Sequence, residues 1–77
     1  MLKIGDFSKI CQVSIKALRY WDEQGILKPA EIDSATGYRY YAIEQISDVN
    51  RILAFRTMGL ELKQIKQLMA DNLTTDD

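Results

Sequence analysis

Val13-Ser14-Ile15-Lys16-Ala17-Leu18-Arg19-Tyr20-Trp21-Asp22-Glu23-Gln24-Gly25 begins with a residue pair that starts helices and ends on a glycine that stops them. Lys16, Arg19, Tyr20 and Trp21 lie between those punctuation marks, and no acidic residue occurs before Asp22. A short helix that gathers cations and aromatics early and carboxylates in its last turn is an unusual packing element. It is expected to lie in a DNA groove, with Val13 and Leu18 as its inward anchors.

Upstream, Ile4, Phe7, Ile10 and Cys11 fall at helical spacing, with Asp6 and Lys9 on the other side, so a first helix is expected over Ile4–Cys11. Its cap position holds Lys3, which cannot accept a hydrogen bond from the free backbone donors of the first turn. Only Gln12 and Val13 separate this helix from Ser14. Two short helices joined so tightly read as a helix-turn-helix.

Downstream, Ile26 and Leu27 plug the core, and Pro29 forbids further helix. Asp33–Gly37 is a turn, followed by Tyr38, Arg39, Tyr40 and Tyr41 with strand propensity. Alternation puts Arg39 and Tyr41 on the face opposite Tyr38 and Tyr40. This small hairpin must lean on the helices, because alone it would not be stable. Ile43–Met58 carries the longest helical pattern, with Ile46, Val49, Ile52, Leu53 and Phe55 on its apolar face and Asp48 and Arg51 as a surface pair. A last short helix follows Gly59, marked by Leu62, Ile65, Leu68 and Met69, with Lys63 and Lys66 on another face. The fold class is mainly α with a small β-hairpin, a winged helix-turn-helix over residues 1–70. Residues 71–77 are expected to be a polar tail or the start of a linker.

The 77-residue chain suffices for one small domain, and 47% hydrophobic with 27% charged residues argues against disorder. No apolar run approaches the ~20 residues of a membrane span, and no secretion-signal layout is present, so a cytoplasmic location with no membrane partner is expected. A single cysteine and no histidine leave no plausible metal cluster and remove the commonest general base. No catalytic triad or phosphate-cradling glycine loop replaces it, so no enzyme and no cofactor is expected. The net charge is −1, but Asp71, Asp76 and Asp77 sit at the end, leaving ten basic against eight acidic residues over 1–70. DNA affinity must then come from where the charges stand.

The runs I-G-D-F-S-K-I-C-Q-V-S-I-K-A-L-R-Y-W-D-E-Q-G-I-L-K-P, G-Y-R-Y-Y and M-G-L-E-L-K-Q-I-K, in that order, resemble the N-terminal DNA-binding domain of the MerR family of transcription regulators. The resemblance covers residues 3–69, and S-I-K-A-L-R-Y with D-S-A-T-G-Y-R-Y-Y is most similar to multidrug-responsive members.

Lys16 and Arg19 share one side of the second helix, Lys16 as a base or phosphate contact and Arg19 as a bidentate phosphate clamp. Ile15 stands beside them, and Ser14 either caps the helix, donates to a phosphate, or does both. Tyr20 and Trp21 are ~100° apart on a helix, so one is expected on the DNA backbone and the other partly in the core. In the family both positions are implicated in DNA contact, and tryptophan departs from the usual second tyrosine.

The resemblance further implies Tyr38 and Arg39 as the grip of the hairpin wing; the residues themselves read Tyr40, and after it Tyr41, as a tyrosine ladder that simply covers the core. The resemblance also implies Arg56 on phosphates beside a distorted base step, and Lys63 and Lys66 as a second, helical wing. Glu61 stands where the family often has a small hydroxyl cap. These groups mostly read the backbone, so selectivity is expected from DNA deformability.

The implied mechanism is a homodimer that bends and untwists an over-long promoter spacer in double-stranded DNA for RNA polymerase. Dimerisation is expected only for a longer chain, whose linking helix and effector-sensing part would follow residue 77. A small architectural or excisionase-like recombination-directionality adaptor on the same fold is the alternative reading.

Overall fold

Ser14 is the N-cap of its helix: its hydroxyl accepts from the Ala17 N–H at 3.0 Å, satisfying one donor the first turn leaves free. The computed structural model describes residues 1–72, the last two by backbone only, as four helices and three short strands. These are β1 (Leu2–Lys3), α1 (Ile4–Cys11), α2 (Ile15–Glu23), β2 (Glu31–Ile32), β3 (Arg39–Tyr41), α3 (Gln45–Thr57) and α4 (Leu62–Asn72).

The link between α1 and α2 closes through Gln12, which takes a left-handed conformation at φ 57°. Ser8 ties the same turn twice, its carbonyl accepting from Val13 N–H at 3.1 Å and its hydroxyl donating to the Val13 carbonyl at 2.5 Å. Gly25, at φ +75°, ends α2: Ile26 N–H donates to the Trp21 carbonyl at 2.8 Å and Gly25 N–H to the Asp22 carbonyl at 3.1 Å. A side chain would be strained at that φ, so glycine is what lets the chain turn back and bury Ile26 and Leu27. The same pattern ends α3, with Leu60 N–H on the Phe55 carbonyl at 3.1 Å and Gly59 N–H on Arg56 at 2.9 Å.

The expected hairpin is part of a three-stranded antiparallel sheet in the order β1-β3-β2, pairing Leu2 with Tyr41, Lys3 with Tyr40, Glu31 with Tyr40 and Ile32 with Arg39. Its turn is fixed by Asp33, whose carboxylate accepts from Ala35 N–H at 2.8 Å and whose carbonyl accepts from Gly37 N–H at 2.7 Å. β1 carries no sequence signal because two residues show no period; only the distant partner β3 makes them a strand.

Phe7, Val13, Leu18, Trp21, Ile26, Leu27, Tyr41, Val49, Ile52 and Ile65 form one buried core drawn from every helix, from β3 and from the segments between. Tyr41 stacks on Phe7 with centroids 4.5 Å apart and planes 10° from parallel. Its hydroxyl is buried without a hydrogen-bond partner among the described residues. Burial first, and the nearby Asp22 second, push that hydroxyl's pKa above its usual 10.0, with Arg39 pulling weakly the other way.

Several expectations change. Tyr41 is the core tyrosine, while Tyr40 on the opposite face is half-buried. Ile10, at helical spacing from Phe7, is exposed. A turn occupies residues 43 and 44 before α3 begins at Gln45, and Ile43 is exposed. Gln45 explains that start, since its side chain accepts from Ala42 N–H at 2.8 Å and donates to the Lys28 carbonyl at 2.7 Å. Arg51 lies over the Phe55 ring, 5.9 Å from its centroid, and no Asp48–Arg51 ion pair is found among the described residues.

The backbone of Asp71 and Asn72 continues α4, and the expected tail over 73–77 lies outside the described residues. Cys11 is partly buried against the core, and burial pushes its thiol pKa up, which disfavours the reactive thiolate. No described helix is long and apolar enough to cross a membrane, and the described residues contain no group of three or more side chains able to hold a metal.

Candidate nucleic-acid interface

The burial of α2 is one-sided. Leu18 and Trp21 are 0% and 1% exposed, so the helix turns Ile15, Lys16, Arg19 and Tyr20 outward. These four, with Ser14, Ala17 and Glu23, line one open surface. Adjacent Tyr20 and Trp21 therefore part company: Tyr20 is 45% exposed, whereas Trp21 is a core residue. Trp21, expected among the DNA-contacting residues, has its side chain packed into the core, and the ~100° of helical rotation between neighbours leaves Tyr20 on the outer face. Ser14 keeps its capping bond, and its hydroxyl proton is still free to donate outward.

Arg19 also reaches a second cleft, of about 390 Å³, which it shares with Lys3, Asp6, Tyr38 and Arg39. The hairpin wing and the second helix thus meet at Arg19. Tyr38 is exposed and Arg39 half-buried. Arg39 Nε donates to Asp22 Oδ2 at 3.0 Å, and the same carboxylate lies 3.5 Å from Lys28 Nζ. The Asp22 side chain is only 12% exposed, so this carboxylate binds the end of α2 to the wing and to the following loop.

Arg56, Lys63 and Lys66 line neither surface. All three are exposed and form no ion pair among the described residues. Lys66 leans back over the end of α2, where a Cβ built on Gly25 would meet its Cε at 3.4 Å. Sequence spacing set Lys66 beside Lys63, and the fold also brings Lys66 against Gly25. Glu61 precedes α4, and its N–H donates to Gln64 Oε1 at 3.0 Å, so the helix start is closed by the glutamine three residues on.

Two residues of this region had no functional reading in the sequence. Asp22 looked like one of two carboxylates ending a helix, and nothing local reveals that its partner is 17 positions away. Lys3 looked only like a poor helix cap, and its ammonium lies 5.7 Å from the centroid of the Tyr38 ring.

Comparison with known proteins places this geometry. Residues 2–72 match the sequence model of the family described as MerR HTH family regulatory protein. The transcriptional regulator BrlR of Pseudomonas aeruginosa is 42% identical over 76 residues, which are 99% of this chain and 28% of that protein. The multidrug-efflux transporter 1 regulator of Bacillus subtilis is 42% identical over 64 residues, 83% of this chain and 23% of the regulator. Among solved structures, the EcmrR–DNA complex within EcmrR-RPo superposes with a TM-score of 0.87 at 40% identity, covering 91% of this chain and 26% of that one. The chain thus spans about a quarter of the length of these relatives. The helix-turn-helix, the hairpin wing and the closing helical pair follow one another here as they do in the family, and the chain belongs to the MerR HTH regulatory proteins as their DNA-binding domain, close to the multidrug-responsive members.

Proposed function

We propose that this domain binds promoter DNA through the outward face of α2 and through the wing, and that in a dimer it distorts the promoter spacer so that RNA polymerase can engage it. The observation that carries this reading is the continuity of Ser14, Ile15, Lys16, Arg19 and Tyr20 with Tyr38 and Arg39 through the shared Arg19. One cationic and aromatic surface then spans helix and wing, with the core directly behind it. Arg, Lys and Tyr on such a surface hold phosphates and sugars more than base edges, which favours recognition by DNA shape. Arg56, Lys63 and Lys66 form the second, weaker grip. That a relative sharing this fold at a TM-score of 0.87 was solved as a DNA complex supports DNA as the partner.

The test joins the 77 residues to a parallel coiled coil and measures binding to a near-palindromic promoter duplex across salt concentrations. Affinity should fall steeply between low and physiological salt, as counterion release requires. Arg19→Ala and Arg39→Ala should weaken binding on every sequence while the fold survives. Salt-independent binding, or parental affinity in both variants, would remove α2 from the groove.

A further inference from the structure

The cleft between the start of the chain, α2 and the wing is lined by three cations from three separate elements. Lys3 comes from β1, Arg19 from α2 and Arg39 from β3, against one carboxylate, Asp6. Counting Asp22 on Arg39 as well as Asp6, the three cations still outnumber the carboxylates by one, so an anion entering the cleft meets a net attraction. Lys3 is held in register opposite Tyr40, one residue from Arg39. Tyr38 holds its ammonium at 5.7 Å over the ring, an attraction that orders the side chain without neutralising it. Lys3 and Arg19 have no carboxylate partner among the described residues.

Arg39 is paired, but in a way that leaves it usable. Asp22 takes only the Nε donor. Five N–H donors exist on a guanidinium, so the four on its two terminal nitrogens remain, and the Asp22 contact orients them. A DNA phosphodiester has the charge and the acceptor oxygens to accept from all three groups together.

We propose that this cleft seats one backbone phosphate between the helix-turn-helix and the wing, and that Lys3 is a DNA-binding residue of this protein. The inference rests on the DNA-binding reading above and adds a contact from the first strand, which lies outside both helix-turn-helix and hairpin. Its consequence is mechanical. One phosphate held by β1, α2 and β3 fixes the angle of the wing to the second helix at the moment the duplex is engaged.

The experiment measures binding of the 77-residue chain to a mixed-sequence duplex of about 20 base pairs by fluorescence anisotropy, from low salt upward. Lys3→Ala is compared with Lys9→Ala, which removes an exposed lysine of α1 that does not line the cleft. Lys3→Ala should bind several-fold more weakly at low salt and reduce the slope of log affinity against log salt by about one. Lys3→Arg should restore both. Asp6→Asn should bind about twofold more tightly, a gain that damage to the fold could not produce. Melting curves of the variants keep a folding defect apart from a lost contact. If the parent binds while Lys3→Ala and Lys9→Ala behave alike, the phosphate seat is wrong and the DNA-binding reading stands. If the parent chain fails to bind the duplex even at low salt, the DNA-binding reading fails first, and the seat with it.

Discussion

The two grips proposed for this domain are built on different physical terms. The first, α2 with the hairpin wing, is organised before any ligand arrives: Ser14 caps it, Trp21 and Leu18 anchor it, and Asp22 fixes Arg39 at 3.0 Å. The second, around the α3–α4 turn, offers Arg56, Lys63 and Lys66 as exposed side chains with no ion pair among the described residues. Ordering a long lysine or arginine on binding costs up to ~2 kcal/mol of rotamer entropy, so equal charges contribute unequally. The first grip has met that cost within the fold at Arg39. The second meets that cost at each binding event.

The sharpest way to break the contrast is through the core under the first grip. Trp21→Ala should cost about 3–5 kcal/mol, read as a lower urea midpoint, since the side chain is fully buried behind the outward face of α2. In a domain this small such a loss brings the folded state close to its limit. A variant as stable as the parent would show that Trp21 does not hold α2 in place.

Arg39→Ala is next and should move two readouts together. It removes the nearer cation of a largely buried carboxylate, a change of about 1–2 kcal/mol in stability, and it weakens DNA binding several-fold. Lys63→Ala should move only one. Stability should stay within about 0.5 kcal/mol, and the salt slope should fall by about one or less. Loss of stability in Lys63→Ala, or none in Arg39→Ala, would erase the distinction between the grips.

The smallest effect is expected at Tyr41. Its hydroxyl is buried without a partner, so Tyr41→Phe should be neutral or stabilising by up to about 1 kcal/mol at neutral pH. The pKa is raised in the folded state, so the contribution of the protonated phenol is complete below pH 10.0 and is lost as the pH rises through the folded value. Alkaline denaturation curves should therefore be flatter for the phenylalanine variant. A marked loss of stability in Tyr41→Phe would mean that the hydroxyl does make a bond, with Asp22 or Arg39 as the available partner.

Family membership and the mainly helical fold were legible because their signals are local. Ser14, Gly25 and Gly59 announce helix ends through capping and backbone conformation that each residue largely carries by itself. The helical period placed Phe7, Leu18, Val49, Ile52 and Ile65 in the core, since the face a helical residue shows follows from its angle, while Ile10 on the same period stayed exposed. The same angle required that Tyr20 and Trp21 face differently but could not say which would be buried.

Tertiary structure made that choice by packing Trp21 into the shared core. It also selected Tyr41 over Tyr40, because β3 pairs with β1 and sits above Phe7. The Asp22–Arg39 contact and the meeting of Lys3, Arg19 and Arg39 in one cleft were decided at the same level. Neither has a local signature: a strand of two residues has no period, and an ion pair between residues 17 apart exists only after the chain has folded back. The sequence by itself determined which helices form and which of their faces carries the apolar residues. Only the packing of distant segments determined which charges are held, which stand free, and where they converge.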